Sequence, residues 1–256
     1  MKIIFEIYYH TRWGESLFLS GDIDELGANE ENRAVMMDYQ GDGLWKYTME
    51  LPTSAKKFHY EYLVKSGEGI RREWGSPHSF SPGRNAGEYR LVDRWRDVPA
   101  NLPFYSSAFI QGIFFRQHAD SVVETIEPGT LTVKVDASQL RPDERLVMVG
   151  DCPELGDWDV LKAPLLNDSA FPEWQITLDG KQLKFPFEYK FVIVRTHQRE
   201  VVAWETGENR ICREKPQNPS EAVVVSGLRF NGSESQWRGA GTAIPVFSLR
   251  TDYGFG

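Results

Sequence analysis

The sequence predicts an all-β protein: two tandem immunoglobulin-like β-sandwich modules followed by a C-terminal tail. The chain repeats itself. GDIDELG at 21–27 returns as GDCPELG at 150–156, 129 residues later, and Trp45 and Trp174 keep the same spacing. KFHYEYLV (57–64) returns as KFPFEYKF (184–191) after 127 residues, and Trp74 and Trp204 lie 130 apart. Within each repeat, short stretches alternate apolar with polar residues, the period of a half-buried strand. Gly, Pro, Asn and Asp separate these stretches at the intervals of a sandwich, and no long amphipathic helix intervenes.

The elements follow in order. Residues 2–8 are apolar and β-rich, and 130–135 (TLTVKV) alternate cleanly. Residues 44–51 and 173–178 repeat the pattern, as do 57–64 and 187–194. Residues 88–92 and 221–225 close each unit, and 28–36 and 138–145 have the composition of short helical turns. The expected organisation is a first module at 1–98, a packed linker at 99–127, a second module at 128–227, and at 228–256 a linker with the truncated start of a catalytic barrel. The 99–127 segment carries Phe104-Tyr105 and Phe114-Phe115, too apolar for a free tether.

At 256 residues the chain is long enough for two cores. Its formal net charge of -8 argues against nucleic acid and anionic membranes as partners, but not against a neutral polymer. No apolar run approaches the roughly 20 residues that cross a bilayer. Two cysteines, Cys152 and Cys212, make no disulfide framework. With no convincing leader at Met1–Arg12, a cytoplasmic location is expected. The histidines His10, His59, His78, His118 and His197 lack metal-ligand spacing. No metal, no cofactor and no catalytic residues are expected. The carboxylates Asp151, Glu154, Asp157 and Asp159 read as a solvated loop rather than an opposed glycosidase pair.

One constellation in the second unit is sharper. It runs Leu155-Gly156-Asp157-Trp158, then Glu188-Tyr189-Lys190, then Trp204-Glu205 with Asn209-Arg210. In order and spacing, residues 130–226 resemble family 20 carbohydrate-binding modules, the starch-binding domains. The resemblance implies binding of α-1,4-glucan (starch, glycogen or malto-oligosaccharide). By position it implies Trp158 and Trp204 as stacking residues, with Lys190, Glu205 and Asn209 as polar partners. The chemistry is apt. An indole face covers the C–H side of a pyranose, while amine, amide and carboxylate groups bond its hydroxyls. Trp158 and Trp204 sit in loop-like polar settings, whereas Trp174 and Trp45 lie inside alternating strands and read as core.

The family also has a second, looser site, for which Phe171 is the candidate. In the first unit the matching string places Asn29 at the Trp158 position, Leu63 at Lys190, Gly75 at Glu205 and Ser79 at Asn209, so Trp74 is the sole candidate there. Residues 237–256 are similar to the opening of a family 77 glycoside hydrolase, the amylomaltase or 4-α-glucanotransferase barrel, with Ser248-Leu249-Arg250 as its landmark. Two such modules before such a barrel are similar to the plant-type disproportionating enzymes. The resemblance therefore implies the non-catalytic N-terminal part of a glucanotransferase, partnered by its own downstream catalytic domain. The alternative is a glycogen-associated regulatory or scaffolding protein with no attached enzyme.

Overall fold

The computed structural model describes residues 1–83, 87–97, 126–196 and 198–232. Most of the expected 99–127 linker and the 237–256 resemblance lie outside them. The first module holds β1 (Lys2–Tyr8), β2 (Ser16–Gly21), β3 (Val35–Met36), β4 (Asp38–Gly41), β5 (Leu44–Glu50), β6 (Phe58–Ser66), β7 (Gly69–Arg72), β8 (His78–Phe80) and β9 (Glu88–Arg94). The second holds β10 (Thr130–Asp136), β11 (Glu144–Gly150), β12 (Asn167–Ala170), β13 (Glu173–Asp179), β14 (Phe187–Arg195), β15 (Val201–Trp204), β16 (Arg210–Cys212) and β17 (Glu221–Arg229). Short 3-10 turns occur at Asp24–Leu26, Glu31–Arg33 and Pro153–Leu155. The helical turn expected over 138–145 is instead a plain turn running into β11.

Each module has one small sheet of its own. It is β3-β2-β6-β7 with β8 against β6 in the first, and β11-β14-β15 with β16 against β14 in the second. The other halves of the two sandwiches are not separate. They join into a single eight-stranded sheet ordered β12-β13-β10-β17-β9-β1-β5-β4. The seam is the parallel pair β17–β9, in register from Glu221 opposite Glu88 to Ser226 opposite Asp93.

The seam strands serve both cores. Tyr89 and Leu91 of β9, with Ala222 and Val224 of β17, join the first-module core around Phe5, Tyr62 and Phe80. Val92 of β9, with Val223 and Val225 of β17, joins the second-module core around Trp174, Phe187 and Phe191. Side chains alternate between faces along a strand, so the two small sheets cover opposite faces of the joined sheet. That explains the unbroken apolar run Ala222–Val225, which is what a strand buried on both sides requires. Two buried polar side chains bridge the modules: Arg90 Nε donates to Glu221 Oε1 at 2.9 Å, and Lys134 Nζ to the Ser79 carbonyl at 2.9 Å. Trp174 is fully buried and Trp45 nearly so, and Cys152 and Cys212 are free and buried. Among the described residues, no helix is long and apolar enough to cross a membrane.

Candidate functional site

The candidate site is built on the outer face of the β11–β14–β15 sheet. Val147 pairs with Val192 and Val149 with Lys190, so all four project to the same side. Trp204 lies directly opposite Val192 in the β14–β15 ladder and projects with them. Val147, Val149, Val160, Ala163, Val192 and Val194 form a small apolar cluster, and Trp158 packs half-buried against it. Trp204 keeps 43% of its surface in solvent, unusual for so large an apolar side chain.

Trp158 is delivered by a strained turn. Gly156, Asp157 and Trp158 have φ of 81°, 50° and 65°, three left-handed residues in succession. Only glycine fits the first, since a Cβ there would stand 2.7 Å from the Asp159 carbonyl oxygen. The turn is closed by Trp158 N–H donating to the Gly150 carbonyl at 2.7 Å. A tryptophan in this region costs on the order of 1–3 kcal/mol, and such strain gathers at functional sites.

The polar residues divide into two kinds. Lys190 Nζ donates to the carbonyls of Glu205 (3.1 Å) and Gly207 (2.5 Å), which fixes the ammonium beside the β15–β16 loop with a third hydrogen to offer. Asn209 is exposed, and its amide donates to Glu188 Oε2 at 2.8 Å. Glu205 departs from the expectation of a hydroxyl partner. It is only 4% exposed. Its carboxylate accepts from Arg210 Nε at 2.9 Å and Nη2 at 2.5 Å, and from the Asn231 N–H at 3.1 Å. Glu205 therefore positions the loop behind Trp204, and Arg210 neutralises it.

Strand pairing corrects the residue matching between the modules. Gly21 pairs with Tyr60 and Gly150 with Tyr189, so the residue equivalent to Lys190 is Glu61, not Leu63. Leu63 stands opposite Arg72 as Val192 stands opposite Trp204, so Arg72 replaces Trp204. The Glu73 N–H donates to the Tyr62 carbonyl as Glu205 N–H does to Phe191, which makes Glu73, not Gly75, the counterpart of Glu205. His78 pairs with Tyr60 as Arg210 pairs with Tyr189, and the buried pair Glu205–Arg210 is mirrored by Glu73–His78. Burial alone would raise the Glu73 carboxyl, but His78 and Arg96 beside it outweigh burial and hold it at about 2. Asn29 does match Trp158: φ is 62°, and its N–H closes the same 2.7 Å bond, to Gly21.

The first module's equivalent face is thus ionic, with Arg72 paired to Glu61 and, at 2.6 Å, to Glu31. Trp74 is not the counterpart of Trp204. It sits at the module junction under the Arg229 guanidinium, 5.4 Å from the ring centre. Phe171, half-buried, borders that same junction.

Sequence reasoning passed over Trp13, which is fully exposed in the turn before β2. Arg12 N–H donates to Glu15 Oε2 at 2.8 Å there, and Arg141 to Glu144 likewise in the second module, with Pro142 in the tryptophan's place. An aromatic between arginine and a glycine at φ 83° was the available signal. Among the described residues, no His, Cys, Asp or Glu cluster could hold a metal.

The fold is one β-sandwich used twice. The profile described as "Starch binding domain" matches residues 1–85 and again 130–223, and the chain belongs to that family. It is 28% identical over 281 aligned positions to the 4-alpha-glucanotransferase DPE2 of Oryza sativa subsp. japonica, a match covering all of this chain and 28% of the rice protein. It is 31% identical over 73 residues to the AA13 family lytic polysaccharide monooxygenase A of Aspergillus terreus, covering 27% of this chain and 18% of that one. The chain thus spans less than a third of either curated relative. Among solved structures, the family 20 module of a maltotetraose-forming amylase from Pseudomonas saccharophila aligns with 38% of this chain and 99% of its own, at 19% identity and a TM-score of 0.31.

Proposed function

We propose that this chain binds α-1,4-glucan through the outer face of its second module and serves as the non-catalytic N-terminal part of a 4-alpha-glucanotransferase. Trp158 and Trp204 are the stacking faces. Lys190 and Asn209 are the hydroxyl partners, and Glu205 with Arg210 holds the loop that follows Trp204. One observation carries the reading: a half-exposed tryptophan stands opposite Val192, on the face where a second tryptophan is held in strained backbone. An α-1,4 chain curves, and two indoles on separate elements, one in a turn and one at the end of β15, suit a curved face better than one flat stripe. The rice relative, matched along the whole of this chain, supports the attachment to a transferase.

Trp204→Ala should weaken maltoheptaose binding by about 1–3 kcal/mol, the range of stacked rings elsewhere, with the melting temperature unchanged. Trp174→Ala, a core deletion, should instead cost about 3–5 kcal/mol of stability. Affinity electrophoresis in glycogen gels and thermal melts read both. Unretarded migration of the intact chain would sink the proposal.

A further inference from the structure

We propose that the module junction forms a second carbohydrate site, a composite cleft that neither module contains alone, and that it takes a short neutral α-glucan such as maltotriose. This rests on the glucan-binding reading above. The cleft measures about 420 Å³, within the roughly 300–1,000 Å³ of small-molecule sites. The first module lines it with Lys57, His59 and Trp74, the second with Asp136, Ser169 and Phe171, and Arg229 of β17 reaches in from the seam.

The lining suits a hydroxyl-rich ligand with apolar ring faces. Trp74 and Phe171 bring aromatic surface from different modules. Each is held in place: the indole lies under Arg229 at 5.4 Å, and the phenyl ring stands edge-on to Trp174 at 6.3 Å. Between them stand a lysine, an imidazole, a serine hydroxyl and a carboxylate, which together donate and accept as sugar hydroxyls require. Several of the charges are already paired: Arg96, which also lines the cleft, is bound to Glu73 at 3.0 Å and Glu173 to Lys134 at 3.2 Å, which leaves Lys57 and Arg229 with Asp136. Burial pushes the Asp136 carboxyl up from its ordinary value, opposed by the Ser138 N–H and by Arg229.

The arrangement exists only because β9 and β17 pair. Taken singly, Trp74 is a tryptophan displaced from the family's ordinary face, and Phe171 is a lone ring beside a strand edge. The seam brings them to one opening.

The test uses the full chain carrying both Trp158→Ala and Trp204→Ala, which removes the two stacking rings of the outer face. Calorimetric titration with maltotriose should still register one binding event. Adding Trp74→Ala or Phe171→Ala should each weaken it about tenfold or more, as expected when a stacked ring is lost. The pair together should weaken the same event further than either single change, because each ring makes its own stacking contact. Since either ring could also support folding, Ala170→Gln gives an independent check: it narrows the opening from an exposed position without removing a core contact. It should weaken the same event while leaving the melt unchanged. Residual binding indifferent to all three changes would overturn the proposal and shift attention to Trp13. So would loss of all maltotriose binding in the chain carrying Trp158→Ala and Trp204→Ala alone. An unsubstituted chain that binds no glucan would instead refute the parent reading.

Discussion

Glu205→Gln separates a sugar contact from a scaffold residue. In the structure this carboxylate is buried, and Arg210 beside it has only 5% of its side chain exposed. The amide keeps the shape but removes the charge, which leaves a buried guanidinium without its counter-ion. Breaking a buried pair from one side costs about 3–5 kcal/mol. Arg210 also donates to the Arg229 and Gly232 carbonyls at 2.9 and 3.1 Å, and these contacts remain, so the lower end of that range applies. For a chain of this size, about 3 kcal/mol corresponds to a fall in melting temperature of about 6–12 °C. Differential scanning calorimetry should show that fall. Maltoheptaose titration well below the new midpoint should show affinity within a few-fold of the unsubstituted chain. A variant that melts normally but no longer binds would refute the reasoning and restore Glu205 to the sugar-contacting set.

Two further outcomes follow from the seam and from its buried acid. Glu73 is held at about 2 in the fold, below its ordinary 4.5. The stability it contributes is therefore full above pH 4.5 and lost as the pH falls towards 2, on the order of 3 kcal/mol for such a shift. Urea midpoints measured from pH 6 to pH 2.5 should decline through that window, and a flat profile would contradict the Glu73–His78–Arg96 geometry. Residues 1–97 and 126–232 expressed apart should each melt well below the whole chain. Each half loses side chains that the other strand places in its core: Ala222 and Val224 for the first, Val92 for the second. Two separate halves melting at the temperature of the intact chain would show the shared sheet to be unimportant.

The periodicity of the chain was enough to place most strands, because one buried face writes itself as alternation. Residues 130–135 and 173–178 are clear cases, and they appear as β10 and β13. The joined sheet was not legible. Ala222–Val225 reads as a buried strand, but nothing in its composition says that the second covering belongs to another module. Matching strings also misplaced the first module's site. KFHYEY and KFPFEY align by eye two residues out of step, whereas ladder register, which strings do not encode, pairs Tyr60 with Gly21 and Tyr189 with Gly150. Trp74 was matched to Trp204 by residue type, and the ladder puts Arg72 there instead. Glu205 shares its motif with exposed neighbours, and its burial depends on Arg210 and Asn231, which fold onto it from beyond the loop.

The strand pair at the centre also bears on how such a protein changes over generations. Duplicated segments usually persist as detachable cassettes that recombination can drop or shuffle. Here a cut between them would strip Val92 from one core and Ala222 and Val224 from the other, so the two copies are inherited together or lost together. Removing the first copy would therefore cost the second part of its own core, whatever the first copy's ionic outer face does.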